Sequence, residues 1–80
     1  MEAEAARKYA RLLVSEIKLY NERAVRLGRE QRDLRTRLRE EIERAHRTYL
    51  DRVPETVASR DAYFETELLQ TLAGGDPSTL

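Results

Sequence analysis

Apolar side chains recur at Ala6, Ala10, Leu13, Ile17, Tyr20, Ala24 and Leu27, in alternating steps of four and three residues. That spacing keeps one side of a helix apolar, whereas a half-buried strand alternates every second residue. Leu12, Val14, Leu19 and Val25 flank the stripe and widen it. A two-stranded seam needs only two positions in seven, so a stripe this wide predicts a helix over residues 3–27 with more than one neighbour.

Gly28 follows the stripe where a C-cap glycine would sit, and a bent continuous helix is the alternative, since one glycine costs only about 1 kcal/mol. Residues 28–33 carry no large apolar side chain, and Asp33 is placed to cap a second helix. The next stripe, Leu34, Leu38, Ile42, Ala45, Tyr49 and Val53, predicts a helix over 34–52. Pairs four residues apart, Asp33/Arg37, Glu40/Arg44 and Glu43/Arg47, lace its outer side. Pro54 disfavours helical geometry in Val53 and closes the segment. A third helix is expected over 55–73, starting at Pro54 or later behind Ser59 or Asp61 and ending at Gly74-Gly75. Residues 76–80 read as a loose tail.

These segments predict one all-α domain over residues 1–75. The expected architecture is an antiparallel hairpin or bundle of two to three helices, completed by dimerisation. About twenty large apolar side chains build only a marginal core in a chain of 80 residues, and a second copy is a common supplement. Burial of Leu13, Ile17, Tyr20 and Ala24 against the other helices and a second copy is the expected mechanism. The implied function is a helical oligomerisation or protein-docking module with no catalytic activity of its own. Its expected partner is a second copy or another protein.

The chain has no cysteine, which removes disulfides, thiolate catalysis and cysteine-ligated zinc. No glycine-rich phosphate loop is present, and no cofactor or small-molecule substrate is implied. Uninterrupted apolar runs reach three residues, as in Leu12-Leu13-Val14, so no segment is expected to span a bilayer. The amino terminus lacks the basic start and apolar stretch of a signal peptide, which makes a cytoplasmic location the expectation.

Glu43 and His46 match the Glu-x-x-His spacing of di-iron bundles. At about 100° per residue, however, His46 lies about 60° and Glu43 about 120° from the centre of the second stripe. A surface glutamate and a boundary histidine are therefore expected, with no metal site. His46 is the only histidine, and no nucleophile is spaced beside it.

The net charge is zero but unevenly spread. Seven arginines against Glu30 and Asp33 give residues 23–39 a local +5, while residues 54–80 carry a local −4. The alternative function is therefore binding of nucleic acid or an anionic surface through Arg26, Arg29, Arg32 and Arg35. These arginines fall on several helix faces, and no aromatic residue is interleaved for base stacking. Docking of the basic segment onto the acidic one is a structural alternative. Among the four tyrosines, Tyr20 and Tyr49 are expected in the core and Tyr9 and Tyr63 near its edge.

The stretch Leu12–Asn21, the pair Asp33-Leu34 with Leu38, Glu41 and Ile42, then Arg52-Val53-Pro54, Tyr63-Phe64 and Thr71–Asp76 give the chain a family likeness. Together they resemble a helical C-terminal module of uncharacterised multidomain bacterial proteins, some of which carry an amino-terminal zinc ribbon. The resemblance covers most of the chain and implies a domain of a longer protein. It implies no activity or site residue, and zinc-ribbon cysteines are absent from this sequence.

Overall fold

The computed structural model describes all 80 residues and contains only helices and turns. The helices are α1 (Ala3–Tyr20), α2 (Glu22–Gln31), α3 (Leu34–Arg37), α4 (Arg39–Arg52) and α5 (Arg60–Glu67). A π-helical turn, Leu68–Leu72, extends α5, and a 3-10 turn spans Pro77–Thr79. No helix is long and apolar enough to cross a membrane.

Helix α1 is the hub, packing on α4, α5 and the π turn. Small side chains at Ala6 and Ala10, both fully buried, let these neighbours approach closely. The buried face of α1 is Ala6, Ala10, Val14 and Ile17. Val14, not Leu13, occupies its third position, and Leu13 packs half-buried at the margin. Ile17, a full heptad after Ala10, keeps the register of the stripe, while between them the face turns onto Val14.

The single long helix expected over 3–27 is instead two. Asn21 leaves helical geometry at φ −137°, ψ 39°, while its side-chain amide donates to the Ile17 carbonyl at 2.9 Å. Such local side-chain bonds compete with the helical ladder, and here the chain makes an elbow. Beyond the elbow the buried positions are Val25 and Gly28, and α2 runs on to Gln31. Gly28 is thus a helix-interior residue and not the C-cap. Arg32 takes the left-handed conformation at φ 59°, and the amides of Arg32 and Asp33 both reach the Gly28 carbonyl.

The Asp33 carboxylate makes no capping bond. It binds Arg37 through two hydrogen bonds of 3.0 Å. The pairs Glu40/Arg44 and Glu43/Arg47 are not closed. The second segment bends at Leu38, which separates α3 from α4, and α4 stops at Arg52 with Val53 extended before Pro54.

The third helix starts at Arg60, directly behind Ser59 as the alternative start had it, and not at residue 55. Val57 plugs the preceding loop into the core. Tyr49, fully buried, donates its hydroxyl to the Arg60 carbonyl at 2.7 Å, and the Arg60 guanidinium donates to the Val53 carbonyl at 2.8 Å. Tyr9, Tyr49, Phe64 and His46 form a continuous aromatic cluster, with the Arg52 guanidinium 4.9 Å from the Tyr9 ring centre.

Residues 76–80 are structured. Asp76 accepts from the Ser78 amide and hydroxyl, Thr79 is buried, and the turn packs on α2.

Candidate protein-docking surface

Helix α1 carries the most exposed large apolar residues of the fold. Leu12 is 53% exposed, Leu19 61% and Tyr20 78%. Leu12 and Leu19 are one heptad apart, so they stand one above the other, roughly 160° around the helix from the buried face. Charged and small residues (Lys8, Ser15, Glu16 and Arg23) surround them. In the sequence both leucines fall at the margin of a wider stripe, which hides the pair. Their seven-residue spacing, at right angles or more to the Ala6/Ala10/Ile17 face, was the available signal.

The four residues expected at an interface have separate fates. Leu13, Ile17 and Tyr20 line one shallow groove of about 300 Å³ between α1 and α4, together with Glu41, Arg44 and Ala45. Ile17 is its floor at 6% exposure and belongs to the core of the single chain. Tyr20 stands at the rim and does not pack inside, because α1 ends beneath it at the elbow. Ala24 is half-buried against the core and lies outside this groove.

A larger groove of about 750 Å³ runs along the other flank of α1 and over the elbow. Leu19 and Val25 form its apolar part, and Lys18, Glu22, Arg26, Arg29 and Glu30 line it.

The candidate anion-binding arginines are divided among different tasks. Arg29 is half-buried and donates to the carbonyls of Leu72 at 2.9 Å and Thr71 at 3.3 Å, closing the end of the π turn. Arg35 pairs with Glu65, which joins the basic segment to the acidic one within the chain. Arg32 is the left-handed cap of α2. Arg26 is exposed and makes no ion pair. Helix ends and interhelical contacts thus occupy much of the +5 segment.

His46 is half-buried with its ring centre 4.8 Å from that of Phe64, and Glu43 is exposed. No three His, Asp or Glu side chains converge. Two groups have displaced acidities. Burial, and secondarily the Asp61 charge, pushes the Tyr49 hydroxyl above its ordinary value, while hydrogen bonds from Ser78 hold Asp76 below its own. Neither group lines a groove on α1.

No family model, curated protein or solved structure shows significant similarity to the chain.

Proposed function

We propose that this chain is a helical oligomerisation module that acts by self-association, with no catalytic activity of its own, and that its contact face is the outward side of α1. The observation that carries this reading is the exposure of Leu12 and Leu19, one heptad apart on the side of α1 that none of its neighbours covers. Burying the two leucines against a second copy removes apolar area from water, worth about 1.5–3 kcal/mol for each side chain fully covered.

Within one copy, α1 and α4 form an antiparallel hairpin in this reading. Tyr9, early in α1, stacks on Tyr49 and meets Arg52 late in α4, while Tyr20 and Asn21 share a groove with Glu41 and Arg44 early in α4. This arrangement turns the leucine pair outward.

The test is absolute mass by light scattering on a sizing column, over a hundredfold range of concentration. The wild-type chain is expected near twice 9.4 kDa at the upper end of the range. The double variant Leu12→Glu/Leu19→Glu is expected at 9.4 kDa throughout with its helical content intact, because both leucines lie outside the core of the single chain. A wild-type mass of 9.4 kDa at every concentration overturns the reading.

A further inference from the structure

Lys18, Glu22, Arg26 and Glu30 follow one another at steps of four residues, and their charges alternate: plus, minus, plus, minus. All four are exposed and line the groove over the elbow. Opposite charges at this spacing commonly pair along a helix. Here none of the four has an opposite charge within 4.0 Å. The ladder is left open beside Leu19, which is 61% exposed.

We propose that this groove is the contact between two copies of the chain, which meet antiparallel about a two-fold axis passing between Glu22 and Arg26. The proposal rests on the self-association reading above, centres the contact on the Leu19 end of that face, and adds the sense and the register.

The ladder is complementary to itself in charge. Read backwards, the ladder is minus, plus, minus, plus, which is the complement of its forward order. A two-fold axis between Glu22 and Arg26 therefore sets Lys18 of each copy against Glu30 of the other, and Glu22 of each against Arg26 of the other. Symmetry makes four such pairs. The same register sets Leu19 of each copy against the aliphatic stem of Arg29 of the other, whose guanidinium is already held by the Thr71 and Leu72 carbonyls. A parallel, in-register pair sets every charge against its own copy and is repelled. Complementary potentials fix register and sense more than they add affinity, so Leu19 and the Arg29 stem supply the attraction and the ladder selects the geometry.

The experiment uses charge reversal and single cysteines in the full chain. Glu22→Lys and Arg26→Glu are each expected to raise the dimer dissociation constant by at least about tenfold, since each sets like charges together twice by symmetry. The double variant Glu22→Lys/Arg26→Glu restores complementarity and is expected within about threefold of wild type. The chain has no cysteine of its own, so engineered thiols report cleanly. A mixture of Lys18→Cys and Glu30→Cys chains is expected to form the mixed disulfide under mild oxidation, while Lys18→Cys alone stays unlinked. A wild-type dimer indifferent to both reversals, a double variant as weak as the singles, or efficient disulfide formation by Lys18→Cys alone overturns the proposed geometry while leaving self-association standing. A wild-type chain that is monomeric throughout overturns both.

Discussion

A Cβ placed on Gly28 would lie 2.6 Å from Cδ2 of Leu34 and 3.3 Å from its Cα. Leu34 is fully buried, so its side chain has little room to retreat. The absence of a side chain at residue 28 lets α3 fold back onto α2.

Alanine is worth about 1 kcal/mol over glycine inside a helix, yet Gly28→Ala is expected to destabilise the fold. The overlap with Leu34 costs about 1–3 kcal/mol, which exceeds the propensity gain over most of that range. Urea denaturation followed by circular dichroism measures the difference. In a Leu34→Ala background the clash is gone, and Gly28→Ala should then be neutral or stabilising. Equal effects in both backgrounds would show that Leu34 is not the obstacle.

Gly28 also marks where the sequence misleads. A glycine just past an apolar stripe has the pattern of a C-cap, and its use for close packing depends on Leu34, which is visible only once α3 folds back. The all-helical class was legible because stripes of helical period are a local property, and so was the burial of Tyr49 at a stripe centre. The elbow at Asn21 was not, since a single asparagine inside a good helical run carries little signal against its neighbours. The exposure of Tyr20 follows from that elbow, and the burial of Val14 in place of Leu13 follows from packing partners distant in sequence. The outward pair Leu12/Leu19 was present as a spacing but was hidden inside a wider apolar run. Asp33/Arg37 was legible as a pair, whereas Arg29's bonds to Thr71 and Leu72 span more than forty residues and leave no pattern.

Arg29→Met keeps much of the aliphatic stem but removes both hydrogen bonds to the π-turn carbonyls. A part-buried bond to a charged donor contributes about 1.5–3 kcal/mol, so a loss within that range is expected. Arg26→Met, eight-tenths of a turn away along the same helix and without an ion pair in the chain, is expected within about 0.5 kcal/mol of wild type in monomer stability. Thermal melts at low protein concentration check both. Equal effects at the two positions would mean that the bonds to Leu72 and Thr71 contribute nothing to stability.

Tyr49→Phe removes the hydroxyl that satisfies the Arg60 carbonyl and is expected to cost about 1–2 kcal/mol at neutral pH. The pH dependence has a definite sign. Burial raises the pKa of the folded tyrosine above its ordinary 10.0, so the unfolded chain loses this proton first. Above pH 10.0 the folded state binds more protons than the unfolded state, and stability falls as pH rises. Phenylalanine cannot titrate. The stability gap between wild type and Tyr49→Phe should therefore be constant below pH 10.0 and shrink above it. Urea midpoints at pH 7, 9 and 11 read the gap, and a gap that widens with alkali contradicts the argument.

Arg11 and Glu67 tie α1 to α5 across a 3.0 Å contact whose two ends are unequally wet. The Glu67 side chain is only 10% exposed, whereas that of Arg11 is 62% exposed. An uncompensated buried carboxylate costs more than an uncompensated cation that water can reach. Arg11→Met strands the carboxylate and is expected to cost about 1–3 kcal/mol, a range kept low because Arg11 is itself well solvated. Glu67→Met leaves Arg11 free to turn into water and fills the same space with an apolar side chain, so it is expected to cost less than about 1 kcal/mol. The double variant should recover most of what Arg11→Met loses, giving a coupling of about 0.5–3 kcal/mol in a double-mutant cycle read by urea denaturation. Additive effects, or a larger loss for Glu67→Met than for Arg11→Met, would assign the contact to surface decoration and place the α1–α5 junction wholly on its apolar packing.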